Sequence, residues 1–329
     1  MPEATLISHF DALLADLDGV VYAGPHAIPG AIDSLQQLAG LGVGLGYVTN
    51  NASRSPAQVA AHLRELGAPA EDNQVVSSSQ AAADLLAARL PAGSNVLVTG
   101  SPALAHELEL VGLVPVRSQA DDPVAVVQGF SPDLGWKDLA EATYVVRAGA
   151  LWVATNTDMS IPQERGIAPG NGTLVSAVAA ATGQQPLVAG KPEAPLFHSA
   201  AKRLSAQRPL VVGDRLDTDI LGGNNAGFAT AAVLTGVDTT LSILAARTAE
   251  RPQYIIGSLP ELFEPYPEVT HDDGTYSCGT ATARVAGSAV GIIGREDSLD
   301  SWRAACAAWW AATPDAATAQ APQLTWLNH

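Results

Sequence analysis

Short apolar runs alternate with stretches of helical period through roughly the first 260 residues, the signature of a parallel sheet whose crossovers are helices. Ala12 to Leu17 is the first such run and ends in acidic residues and Gly19. Pro29-Gly30 opens a helical stretch that carries Ile32, Leu35 and Leu38 on one face and closes near Gly40 and Gly42. Val43 to Val48 reads as a second strand. Ser55-Pro56 then supplies an N-cap and first helical residue for a helix through Leu66, stopped by Gly67. Much later, Pro209 to Val212, Thr230 to Leu234 and Tyr254 to Ile256 repeat the strand pattern, with a helix expected from Asp217 to Ala226.

Residues 84 to 185 carry a periodicity of their own. Strands are expected at Val96–Val98, Val124–Val127 and Leu151–Val153, and helices at Ala103–Val111, Leu139–Gly149 and Leu174–Thr182. A stretch this long with its own elements reads as an inserted domain rather than a loop. Beyond residue 262 the pattern changes to an alternating segment, Thr280 to Ile293, and an Ala- and Trp-rich helix from Leu299 to Ala311, with a frayed tail expected after it. The expected architecture is α/β. A Rossmann-like parallel-sheet core (1–83 and 186–262) holds an inserted α/β cap (84–185), and a small α+β extension (263–329) of unassigned role follows.

Composition narrows the partners. The chain has 329 residues, 47% of them hydrophobic, and a net charge of −16 spread along its length. A negative surface repels nucleic acid and anionic lipid, so neither is an expected partner. A small phosphate still binds where local cations and a metal overrule the global field. Cys278 and Cys306 are too far apart in sequence to form a metal or redox pair, and read as reduced thiols. Met1-Pro2-Glu3 shows no basic leader, and no uncharged apolar run reaches the ~18 residues of a membrane span. A cytoplasmic location is the expectation; self-association is left open.

Four local signals carry chemistry. Asp16-Leu17-Asp18-Gly19-Val20 follows an apolar strand, so its two carboxylates, two residues apart, can address one point at the sheet's carboxyl edge. Leu210 to Asp214 is again an apolar strand ending in an acid, with Asp217 and Asp219 just beyond. Carboxylates drawn together stay ionised only around something positive, and magnesium suits few carboxylates plus water and phosphate. One of Asp217 and Asp219 could instead cap the following helix. Gly190-Lys191-Pro192 places one of three lysines at an expected helix start, where ammonium and helix N-terminus meet an anion together. Thr49-Asn50-Asn51 offers a hydroxyl and amide donors after a strand. Each signal alone is compatible with an ordinary polar turn or surface residue; the ordered set is not.

With these motifs the sequence resembles the haloacid dehalogenase superfamily of phosphatases. It looks most like the type II subgroup with a large α/β cap, which includes nitrophenyl, phosphoglycolate and glycerol-3-phosphate phosphatases. The resemblance rests on DLDGV at 16–20, TNNASRS at 49–55, ATNTD at 154–158, PGNGTLVSAV at 169–178, GKP at 190–192 and GDRLDTDI at 213–220, and covers about residues 10 to 260. It implies that Asp16 is the nucleophile and Asp18 the general acid and base. It implies that Lys191 offsets negative charge, and that Thr49 with the amides of Asn50 and Asn51 binds phosphate. Magnesium (Mg2+) would be held by Asp16, the Asp18 carbonyl and Asp214, with Asp219 behind them orienting metal-bound water. The cap's inner loops would choose the leaving group, with Asn156, Asp158, Arg165 and Asn171 as candidates. The implied activity is hydrolysis of a small phosphorylated metabolite, glycerol 3-phosphate or 2-phosphoglycolate first. Sugar phosphates, nucleoside monophosphates and pyridoxal phosphate stay open. A rival is different chemistry on the same scaffold, although a general acid at Asp18 argues against dehalogenation and phosphonate cleavage. A non-catalytic phosphate sensor is the alternative from another class.

Overall fold

The computed structural model describes residues 4–52, 54–163 and 165–327. Met1 to Glu3, on which the leader argument drew, and Ser53 of the 49–55 motif lie outside them. The chain forms two compact units. One comprises residues 1–45, 66–69 and 206–329, the other 46–65 and 70–205.

In the first unit the strands Tyr254–Ile256, Ala229–Val233, Pro209–Gly213 and Ala12–Ala15 lie side by side in that order, all parallel. The strand Gly44–Thr49 begins here, with the Gly44 N–H donated to the Asp11 carbonyl at 2.9 Å. Ala12–Ala15 and Pro209–Gly213 are buried along their length, so they read as continuous apolar runs. Leu35 and Leu38 bury one stripe of the helix Ala31–Leu41, and Gly42 ends it in the left-handed region at φ 70°.

The 263–329 extension belongs to this unit. Antiparallel strands Val269–Asp272, Thr275–Cys278, Ala281–Ala286 and Ala289–Ile293 form a sheet. Gln323–Leu327 then joins it as a parallel fifth strand beside Ala289–Ile293. The expected frayed tail is therefore ordered as far as Leu327, because the sheet edge gives its backbone partners. The helix Leu299–Ala312 puts Trp302, Ala305, Cys306 and Trp309 into one core with Ile220, Ile243, Leu244 and Ile255. Those tryptophans are packing residues: Trp302 Nε1 donates to Glu296 O and Trp309 Nε1 to Gln320 O.

In the second unit the strands Leu187–Val188, Leu151–Ala154, Ala125–Gln128, Asn95–Thr99 and Val114–Val116 form a parallel sheet in that order. Val145, Val146, Val175 and Val178, from helices Trp136–Arg147 and Asn171–Thr182, pack on Leu97, Val126 and Trp152. The Gly44–Thr49 strand continues into this unit and pairs with Val75–Ser77. A hairpin, Ser160–Gln163 with Gly166–Pro169, precedes the second of those helices. No described helix is long and apolar enough to cross a membrane.

Candidate active site

Sheet geometry delivers the acids. The Asp16 N–H still donates to Val212 O at 2.9 Å, so the strand's pairing runs one residue past Ala15 and brings Asp16 beside the end of the Pro209–Gly213 strand. Gly19 turns the chain away at φ 82°, and its N–H closes on Tyr22 O at 2.8 Å, leaving Asp18 exposed on the turn. One carboxylate oxygen from each of Asp16, Asp214 and Asp219 lies within 4.8 Å of the other two. Asp214 and Asp219 are buried and Asp16 is half-buried. Three carboxylates this close, with only oxygen ligands on offer, suit a small hard dication.

Glycines make the room. A Cβ on Gly19 would stand 2.4 Å from Asp214 Oδ2, and one on Gly236 only 2.0 Å from the same atom. A Cβ on Gly213 would meet Asp219 Cβ at 2.1 Å. The carboxylates of Asp214 and Asp219 therefore sit in clefts that any side chain would fill.

The structure gives Asp217 and Asp219 different surroundings. In place of a regular helix from Asp217, residues Leu216–Ile220 form a wider π-helical turn before the helix Leu221–Asn225. That turn folds Asp219 inward, where Oδ2 accepts the Arg215 N–H at 3.2 Å. Asp217 points out instead and pairs through both oxygens with the Arg215 guanidinium, at 3.1 and 3.0 Å. That hydrogen-bonded pairing holds the Arg215 pKa above its usual value.

The remaining candidates belong to the second unit. Thr49 is buried at the end of its strand, and its hydroxyl oxygen accepts the Asn51 N–H at 3.1 Å. That leaves the O–H proton of Thr49 to give to an anion. The Asn50 side chain grips the Lys191 peptide on both sides: Oδ1 accepts the Lys191 N–H at 2.7 Å and Nδ2 donates to Lys191 O at 3.1 Å. Nδ2 also reaches both carboxylate oxygens of Asp158, at 3.3 Å. Lys191 is only 3% exposed. The helix after it starts at Ala194 with Pro195 in its first turn, so Lys191 lies ahead of the helix and not on its first turn.

Among the cap candidates, Asn156 and Asn171 are buried and committed to backbone carbonyls. Asn156 Nδ2 donates to Asn50 O at 2.8 Å, and Asn171 Nδ2 to Asn156 O at 2.7 Å. Asp158 is exposed, with its N–H held by Asn156 Oδ1, and Arg165 is exposed in the hairpin turn. Asn50, Lys191, Asn156, Asp158 and Asn171 thus form one connected network, which neither Thr49 nor Arg165 joins through any of these bonds.

The haloacid dehalogenase-like hydrolase pattern matches residues 13–114, and a second HAD-hydrolase-like pattern matches residues 188–262. A D-glycerol 3-phosphate phosphatase of Mycobacterium tuberculosis is 45% identical over 316 residues, covering 94% of this chain and 88% of that protein. The chain belongs to the haloacid dehalogenase-like hydrolases. An acid sugar phosphatase of Staphylococcus saprophyticus is 37% identical over 260 residues, 78% of this chain and 98% of that protein. A solved glycerol phosphate phosphatase of Mycobacterium tuberculosis, in complex with magnesium, superposes with a TM-score of 0.88 at 42% identity, covering 99% of this chain and 96% of that one.

For this haloacid dehalogenase-like hydrolase, sequence patterning missed the loop after the Ala229–Val233 strand. The Val237 N–H donates to Asp214 Oδ2 at 2.8 Å and the Thr235 hydroxyl to Gly19 O at 2.6 Å. The available signal was positional. The strand neighbours Pro209–Gly213 in parallel, so its carboxyl end opens at the same edge as Asp214.

Proposed function

We propose that the chain is a magnesium-dependent phosphatase that hydrolyses a small phosphate monoester, glycerol 3-phosphate before 2-phosphoglycolate, by way of a phosphorylated Asp16. The convergence of Asp16, Asp214 and Asp219 into one oxygen-only cluster carries this reading. The similarity to the glycerol phosphate phosphatases supports the choice of substrate.

In the proposed reaction an Asp16 carboxylate oxygen attacks phosphorus, and the P–O bond to the leaving alkoxide breaks. Asp18 gives the alkoxide its proton, so the alcohol departs neutral. Water then attacks the aspartyl phosphate while Asp18 takes back a proton, and inorganic phosphate leaves with Asp16 regenerated. Thr49, the backbone amides of Asn50 and Asn51, and the ammonium of Lys191 bind the phosphate oxygens. Asp16, the Asp18 carbonyl and Asp214 would hold magnesium, with Asp219 orienting its water. When bound, the ion neutralises charge as phosphate meets carboxylate. Asn156 and Asn171 shape the cap loops from within, and Asp158 and Arg165 are its exposed choices for contact with the leaving group.

Two measurements test the reading. Asp16→Asn should remove turnover of glycerol 3-phosphate while circular dichroism and Tm stay near wild type; near-wild-type rates in a contaminant-free preparation would exclude Asp16 as nucleophile. A kcat/KM series over glycerol 3-phosphate, 2-phosphoglycolate and sugar phosphates should peak at the first. A peak at sugar phosphates would keep the chemistry and replace the substrate. No turnover of any ester with magnesium would leave the sensor.

A further inference from the structure

We infer that the loop Thr235–Asp238 is a positioning device for the carboxylate cluster, with Thr235 and Asp238 as its positioning residues. This deepens the proposed phosphatase reading and rests on it. Four bonds tie the loop to the two segments that carry the acids. The Thr235 hydroxyl donates to Gly19 O at 2.6 Å, holding the turn that follows Asp16 and Asp18. The Val237 N–H donates to Asp214 Oδ2 at 2.8 Å, and the Asp238 N–H to Asp214 O at 3.0 Å. Asp238 Oδ2 accepts the Leu216 N–H at 2.7 Å, anchoring the start of the turn that carries Asp219.

Packing closes the same clamp. Asp214 Oδ2 sits against both Gly19 and Gly236, where added Cβ atoms would stand 2.4 and 2.0 Å from it. Its carboxylate is thus fenced on two sides by backbone, with Oδ2 accepting the Val237 N–H. Three like-charged groups repel one another, so without such ties the cluster would splay before a cation arrives. Residues that orient metal ligands through hydrogen bonds typically govern affinity about 10–100-fold. The loop's own strand, Ala229–Val233, is buried in the sheet, so the clamp is mounted on a rigid element.

The test uses the full chain without substrate. Magnesium chloride is titrated, and the magnesium Kd is fitted from the rise of Tm with concentration for wild type, Thr235→Val, Thr235→Ser and Gly236→Ala. The expected result is a shift of about tenfold or more for Thr235→Val and Gly236→Ala. Thr235→Ser should return close to wild type, and the metal-free Tm of Thr235→Val should stay within a few degrees. At saturating magnesium, Thr235→Val should lose kcat more than it raises KM. A Kd within twofold of wild type in both variants overturns the inference. So does a shift matched by an equal collapse of the metal-free Tm, which would mark a merely structural role. Should Thr235→Val not fold, the Thr235→Ser and Gly236→Ala pair decides by the same criteria. A wild-type chain whose Tm ignores magnesium would sink the metal reading itself, an outcome distinct from unmoved variants of a responsive wild type.

Discussion

Asn50 shows how one side chain can do work its position in a motif does not announce. Its amide is the right shape to replace a neighbouring strand, accepting from one face of the Lys191 peptide and donating to the other. Gly190 makes that approach feasible, since a Cβ there would lie 2.6 Å from Asn50 Oδ1. Asn50→Ala would leave an N–H and a carbonyl of a buried residue without these partners, at about 1–3 kcal/mol each. It should lower Tm and, by letting Lys191 drift, reduce kcat/KM about 100-fold. Steady-state kinetics beside a thermal melt check this; full activity would free Lys191 from dependence on Asn50. Sequence placed Asn50 in a phosphate-facing loop but could not say where its side chain went, because the partner lies 141 residues away.

At the scale of elements, the strand Pro209–Gly213 and the π-helical turn after it decide which acid joins the cluster. Gly213 is the pivot: only a bare Cα lets Asp219 fold back against the strand end. Gly213→Ala should displace Asp219 and weaken magnesium about 10–100-fold, read as the magnesium dependence of phosphatase activity. An unchanged dependence would remove Asp219 from the ion's surroundings. The sheet of the second unit shows the complementary lesson. Its strands at Asn95–Thr99, Ala125–Gln128 and Leu151–Ala154 were legible as apolar runs. Val114–Val116, Leu187–Val188 and the 160–169 hairpin were not, being short and without alternation.

At the scale of the whole molecule, the extension beyond residue 262 is part of a core, not an appendage. Val290, Ile292, Trp302 and Trp309 pack with Ile243, Leu244 and Ile255. Burial of each such side chain is worth about 1.5–3 kcal/mol, and a whole domain's net stability is about 5–15 kcal/mol. A chain ending at residue 262 should therefore lose its cooperative thermal transition and aggregate on size-exclusion chromatography. A monodisperse, cooperatively melting product would show the core can close without it. Arg303 ties the same parts together. Its guanidinium is 8% exposed, donates to Ile255 O, pairs with Glu261 and Asp300, and lies over the Tyr266 ring at 4.8 Å.

This core also makes the molecule sensitive to alkali. Burial, with the Asp300 carboxylate adding to it, pushes the Cys278 thiol up to about 12, and burial pushes Cys306 up further still. Unfolded thiols ionise near pH 8.5. Below that value both states keep the protons and stability is intact. Above it only the unfolded chain releases them, so stability falls as pH climbs toward 12. Each pH unit in that window costs about 1.4 kcal/mol per thiol. Urea midpoints should drop between pH 8 and pH 10, and a Cys278→Ala, Cys306→Ala variant should show a flatter dependence. Equal slopes would place the alkaline sensitivity elsewhere.

What the sequence determined by itself is local and periodic. The buried parallel strands, the acids that end two of them, the Gly19 turn and the ordered set of motifs all follow from patterns a few residues long, since strand period and turn chemistry act over that range. Tertiary structure alone decided which partners those residues meet. It turned Asp219 in and Asp217 out, spent the Asn50 amide on Lys191, set the Thr235–Asp238 loop against Asp214, and drew Gln323–Leu327 into a sheet. Each of these depends on side-chain directions and backbone partners that exist only once the strands and loops have packed, and no local period encodes them.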